Sequence, residues 1–302
     1  KALLKIAGVP SNYAVVYGGR AKNNIDPDFP SMQGNHVILN LPQENADDIW
    51  LECTSQKTPF GFIGNFTDDR NVLLVKKDGG EIKKTTAYFE KDNYQKIDAE
   101  LVLDASGDLG AEFTVASEGT QFDQKYFLKD RSKRKVLQFY RNYYDHFKNI
   151  KIEKVEFQQD NENVVFQEKL KIKAKNYAQS FGNRLMFTPN VLNQGFPVPD
   201  KYDKRIAPFR VSRGYFDEDE LVFTLPENMK VESMPEEINL KSKFGEYNAS
   251  FKKINTNQIS YKRSMLLKKG NYNKQEYEAF RNFMYNIKTE DQSKIILVKK
   301  PT

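Results

Sequence analysis

The chain has 302 residues, enough for two compact domains with proper cores, and its 39% apolar and 13% aromatic content argues against global disorder. A formal charge of +6, spread as mixed lysine and acid, biases the chain only weakly toward anionic partners and does not point to nucleic acid. A single cysteine excludes an internal disulfide and thiolate-rich metal clusters, while leaving the redox compartment open.

No run approaches the ~20 apolar residues of a membrane span, and the start lacks the order of a signal peptide. Lys1-Ala-Leu-Leu-Lys-Ile-Ala-Gly8 reads as the last turns of a helix ending at a glycine cap, with Pro10 just beyond. A compact domain rarely begins mid-helix, so the chain is expected to be a fragment or processed product that lacks its upstream part.

Residues 12–17 are β-branched and aromatic and predict a strand, closed by Gly18-Gly19; Pro27 and Pro30 then forbid helix in a polar loop. Two strand-like runs, 36–41 and 49–54, flank a polar segment at 42–48 and predict a hairpin. With its centre near Glu44 or Asn45, antiparallel pairing sets His36 opposite Glu52 or one step diagonal to it, on one face.

From Arg70 the pattern becomes all-β, with strands predicted at 72–76, 80–89, 95–103 and 111–116. Helical spacing follows at 121–128 and 131–147, where Val136, Phe139, Tyr140, Tyr143 and Phe147 share a face. Strands resume at 150–157 and 164–176. Within the latter, Lys169, Lys171, Lys173 and Lys175 face one way and Leu170, Ile172 and Ala174 the other, as in a solvated or edge strand; an anion-binding ladder is the sharper alternative. Residues 190–205 read as a long connection. Strands at 209–212, 220–225, 248–253 and 259–267, a helix at 276–287 and a strand at 295–299 complete the chain. The pattern predicts a mainly β fold with α insertions, an antiparallel β-sandwich-type domain at 67–302 with helical insertions near 119–147 and 274–287.

A lone histidine in a strand is ordinarily structural. His36 stands apart because an acid on the same face of the paired strand supplies the orienting hydrogen bond that a general base needs. Cys53 points away from Glu52 by strand parity and is expected to be buried as a small hydrophobe. Trp50 and Thr54 share the Glu52 face, Trp50 as a cleft wall or as core. His146, beside Asp145 and Tyr144, reads as an ordinary surface residue. No zinc-ligand spacing, phosphate loop, dinucleotide fingerprint or serine elbow occurs, so neither metal nor cofactor is expected.

The opening helix to Val9-Pro10, the Asn35-His36-Val37 strand and the run Trp50-Leu51-Glu52-Cys53-Thr54 together resemble the back half of a transglutaminase-like, papain-related α+β core. In that superfamily a nucleophilic Cys caps the helix that would end near Gly8, a His starts the next-but-one strand, and an Asp sits in a Trp-x-Asp-Pro-Thr type strand. His36 takes the His position, Glu52 stands where Asp is usual, and Cys53 where Pro is common. The Cys position would lie upstream of Lys1.

Gly61 with Asp69-Arg70 and Gly79-Gly80 begin a second set of motifs. Arg205-Ile-Ala-Pro-Phe209, Leu225-Pro226, Met234-Pro235, Lys243-Phe-Gly-Glu-Tyr247, Tyr261-x-Arg263 and Glu276-Tyr277 follow in that order. They resemble the β-rich domain of unknown function that trails such cores in large bacterial proteins.

The resemblance implies an incomplete core at 1–66, followed by the trailing domain, in a periplasmic or secreted bacterial protein. It further implies a cysteine hydrolase or acyltransferase acting on amide bonds of a peptide or protein, with His36 and Glu52 catalytic. Lacking its nucleophile and the upstream part of the same polypeptide, this chain alone is expected to be inactive. The alternative is a non-catalytic β-sandwich module that binds or supports a peptide, a glycan or a partner protein.

Overall fold

The computed structural model describes residues 1–301 apart from Arg20, Gly195, Phe196 and Asp203. A short helix α1 (Ala2–Ile6) buries none of its residues and precedes β1 (Asn12–Val16). β2 (His36–Leu41) and β3 (Ile49–Leu51) form the expected hairpin. After helix α2 (Gly64–Thr67) come β4 (Asn71–Lys76) and β5 (Gly79–Lys84). These strands make one five-stranded sheet in the order β3-β2-β1-β4-β5. Its inner face joins Ala14, Val16, Ile38, Trp50, Ile63, Val72 and Leu74 in a small core, so Trp50 is core.

That pairing corrects the boundary expected between residues 66 and 67. β4 runs antiparallel to β1, and its Val72 and Leu74 complete the small core; the first sheet therefore extends to Lys84.

The rest of the chain builds around a second core. β6 (Tyr94–Leu103) and β7 (Leu109–Glu118) alternate strictly between buried and wet residues. Next come α3 (Gly119–Asp123), a 3-10 turn (Tyr126–Asp130) and α4 (Lys133–Tyr143), then β8 (Ile150–Asp160) and β9 (Val165–Ala174). Short strands β10 (Gln179–Phe181), β11 (Arg184–Phe187) and β12 (Phe209–Val211) precede β13 (Tyr215–Thr224). β14 (Met229–Ser233), β15 (Ile238–Ser242), β16 (Gly245–Lys253), β17 (Gln258–Leu267) and β18 (Gly270–Tyr272) lead through α5 (Tyr277–Asp291) to β19 (Ile295–Lys299).

Eight strands pair in the order β15-β16-β17-β13-β6-β7-β9-β8, antiparallel except where β13 runs parallel to β6. A four-stranded sheet, β10-β11-β19-β14, packs on the buried face of the large one, with the Phe187 and Phe223 rings 5.4 Å apart. The fold is mainly β with helical insertions, as the alternation predicts. Tyr277, Phe280, Phe283 and Met284 form the expected buried stripe on α5.

The helix expected at 121–128 breaks into α3 and the 3-10 turn, which brings Lys125 inward to the buried Glu168 at 2.6 Å. The lysine-bearing strand is β9, which lies between β7 and β8 and is no edge; Lys171 and Lys173 pair with Glu112 and Glu153. The described part of the 190–205 connection carries no helix or strand; Gly195, Phe196 and Asp203 lie outside the described residues.

Candidate functional site

The hairpin register pairs Leu39 with Leu51, Asn40 with Trp50 and Leu41 with Ile49. Continued outward, it sets Ile38 opposite Glu52 and His36 opposite Thr54, so His36 and Glu52 are diagonal neighbours on one face. Their side chains meet: His36 Nε2 lies 2.8 Å from Glu52 Oε2. Both are largely shielded, with side-chain exposures of 15% and 7%.

Glu52 is fixed at its other oxygen, where Oε1 accepts the Thr54 backbone N–H at 3.1 Å and the Thr54 hydroxyl at 2.7 Å. Glu52 lies just beyond the last residue of β3. There its extra methylene, compared with an aspartate, still lets the carboxylate reach the imidazole.

The walls of the site are equally fixed. Phe66 on α2 meets the His36 ring edge-on, with centroids 5.1 Å apart. A Cβ on Gly18 would come within 2.5 Å of Phe66 Cε1 and 3.2 Å of His36 Cβ, so any larger residue there would have to displace the Phe66 ring from the imidazole. Asn35 clamps the end of β1, its Oδ1 accepting the Gly18 N–H at 2.7 Å and its Nδ2 donating to Gly18 O at 3.2 Å.

A carboxylate only accepts, so Nε2 carries the proton shared with Glu52, and Nδ1 of the neutral ring keeps its lone pair. Among the described residues Nδ1 has no hydrogen-bond partner. This arrangement can take up a proton at Nδ1 while Glu52 steadies the resulting imidazolium.

Cys53 is exposed, which corrects its expected burial: β3 ends at Leu51, and Cys53 lies past the strand with its Sγ 3.7 Å from Leu51 O. His146 is half-buried rather than an ordinary surface residue; its Nε2 donates to Val191 O at 2.9 Å, its ring packs 4.3 Å from Phe147, and burial lowers its pKa. No group of three or more His, Cys, Asp or Glu side chains among the described residues is placed to hold a metal ion.

A charged junction, which the sequence reading did not assemble, holds the site's sheet against the large one. The fully buried Asp68 takes a bidentate contact from Arg213 at 2.7 and 2.8 Å and another from Lys22 at 3.1 Å. Asp69, at φ +55°, receives Lys22, Lys84 and Lys269. Burial pushes the Asp69 carboxyl up, but hydrogen bonds from the three lysines outweigh it and hold the group well below the usual carboxylate range. Buried Arg70 donates to the backbone carbonyls of Gly19, Ala21 and Asp68. The signal was the run Asp68-Asp69-Arg70, whose partners are scattered from Lys22 to Lys269.

No curated protein matches the chain. A solved structure from Parabacteroides distasonis, titled as a "putative protease", is similar over 98% of this chain at 14% identity and a TM-score of 0.45. The chain spans 41% of that protein's length. Residues 183–297, which run from β11 to β19 and so share the large sheet with the unmatched β6 to β9, match the model of DUF3858, a domain of unknown function with a solved structure.

Proposed function

We propose that His36 and Glu52 are the general base and its orienting acid in a transglutaminase-like cysteine hydrolase or acyltransferase that acts on amide bonds. The nucleophilic thiol comes from residues outside this sequence. The observation that supports the reading is the 2.8 Å contact between His36 Nε2 and Glu52, which leaves Nδ1 open. Nδ1 takes the proton of the thiol, the thiolate attacks the amide carbonyl, and the imidazolium returns the proton to the departing amine. Water or a second amine then releases the acyl group from the thioester. Cys53 is not assigned that role: its Sγ lies 3.7 Å from Leu51 O and makes no hydrogen bond to His36 among the described residues. An extracytoplasmic bacterial setting belongs to the same proposal.

The test is amide turnover by the full-length protein with His36→Ala and with the wild-type residue. Loss of turnover with retained folding is the expected result; unchanged turnover removes the assignment.

A second reading, a binding module for an extended peptide, is favoured by one feature. β10 is an edge strand whose three residues are all exposed, Phe181 among them, and such an edge can accept another strand. Binding of extended peptides that is lost on Ser180→Pro would support it.

A further inference from the structure

A cavity of about 380 Å³ opens where the turn after α4, the end of β9, β11 and the approach to β19 meet. Its size falls at the lower end of the roughly 300–1,000 Å³ range of small-molecule sites. Lys148, Lys175 and Lys294 line it together with His146, and no Asp or Glu does. None of the three lysines makes an ion pair among the described residues; Lys294 Nζ donates to Thr188 Oγ1 at 2.5 Å.

The contrast along β9 is sharp. Lys171 and Lys173 are each neutralised by a glutamate, while Lys175, two residues further on, enters the cavity rim without one. Two acids lie near the rim without lining the cavity: Asp108 accepts the Asn176 N–H at 2.8 Å, and Asp145 acts electrostatically on His146. Three ammonium groups with no ion-pair partner among the described residues, set around a concave wall that no acid lines, favour a positive potential in it. One part of the lining is apolar: the Phe147 and Tyr177 rings lie 5.5 Å apart, and Met186 lines the cavity with them.

We propose that this cavity binds a small phosphorylated organic molecule, its phosphate among Lys148, Lys175 and Lys294 and its body on the Phe147–Tyr177 part of the lining. Lysine serves such a head as a point charge, and the amides of Asn149 and Gln179 on the lining add donors. A free ligand fits better than a membrane headgroup because the lysines surround a concavity rather than a protruding face. The site is independent of the His36–Glu52 assignment.

The experiment is isothermal titration of the chain with phenyl phosphate, inorganic phosphate and benzyl alcohol. Saturable binding of phenyl phosphate at millimolar Kd or tighter, weaker binding of inorganic phosphate and none of the neutral alcohol are expected. The triple variant K148Q/K175Q/K294Q should weaken phenyl phosphate by at least about tenfold. The variant K169Q/K171Q/K173Q removes the same charge from the neighbouring ladder and should stay within about twofold. All six side chains are on the surface, so folding is retained and circular dichroism checks it. No saturable heat at ~20 mM, or equal weakening by both triple variants, overturns the proposal. Binding only to phosphatidic acid vesicles, and not to the soluble esters, overturns it as well.

Discussion

Lys125→Met tests the claim that the large core is held by a specific buried ion pair. Lys125 Nζ lies 2.6 Å from Glu168, whose side chain is fully buried; burial, the largest single influence, lowers the Lys125 pKa, but Glu168 together with Tyr143 and Asp217 outweighs it and the pKa is raised. Tyr140 donates a second hydrogen bond to the same carboxylate at 2.5 Å. At an effective dielectric of ~20, charges at this separation attract by on the order of 6 kcal/mol, and desolvation of both groups offsets much of that.

Methionine keeps the stem's packing but leaves Glu168 buried with only Tyr140 and no counter-charge. The expected loss is about 3–5 kcal/mol. Lys125→Met/Glu168→Leu removes both charges and should recover most of it, since an apolar pair of similar volume is often neutral or better.

Urea unfolding followed by far-UV circular dichroism reads the large sheet. Fluorescence of the single tryptophan, Trp50, reads the small core. The dichroism midpoint should fall in the single variant and return in the double one. A loss below about 1 kcal/mol, or a double variant as weak as the sum of the two singles, would refute the ion-pair argument.

On the proposed acyl-transfer reading, Glu52→Gln in the full-length protein should lower amide turnover by about 10²- to 10⁴-fold while leaving dichroism unchanged, because an amide cannot steady the imidazolium; a change under threefold contradicts the orienting role. Asp219 sits beside Asp217 with Arg263 at 3.1 Å, and burial pushes its carboxyl up to about 7. A raised folded pKa stabilises below the unfolded value of ~3.9 and loses that stabilisation as pH rises toward 7, so the wild type should weaken against Asp219→Asn by on the order of 3 kcal/mol between pH 4 and 7. A flat difference in urea midpoint across that range excludes the effect. The exposed Cys53 thiol should react with a thiol reagent in the native state, and Cys53→Ser should leave amide turnover unchanged; a thiol silent until denaturation contradicts its placement. Arg213→Gln should separate the Trp50 and dichroism transitions, which coincide if the junction couples the two cores, and coincident midpoints in the variant would count against that coupling.

The hairpin was legible because two alternating runs flank a short polar turn, and parity alone then puts His36 and Glu52 on one face. Parity failed at Cys53, since a strand's alternation holds only while the strand lasts and β3 stops at Leu51. The pairing of β4 with β1 left no local mark: the partners lie about sixty residues apart, and β4 follows the same alternation as the strands after it. The first half of β13 was hidden differently. Asp217 and Asp219 occupy inward positions of that strand, and acids at those positions read as loop until the partners that satisfy them are known, Gln121, Asn193 and Arg263.

Those concealed polar contacts bear directly on the dyad. Arg70 holds the carbonyls of Gly19 and Ala21, and Gly19 donates its own N–H to Phe66 O at 2.9 Å. Gly18, one residue earlier, is clamped by Asn35 and packs under Phe66, which in turn abuts His36. The segment that walls the imidazole is thus tied to the residues 68–70, and Asp68 and Asp69 are tied to Arg213 and Lys269 of the large-sheet body. A weakened junction should therefore disturb the placement of the imidazole before it disturbs the hairpin hydrogen bonds themselves. If His36 is the base proposed above, the large sheet is part of what preorganises it, although among the described residues none of that sheet touches His36 or Glu52 through a hydrogen bond.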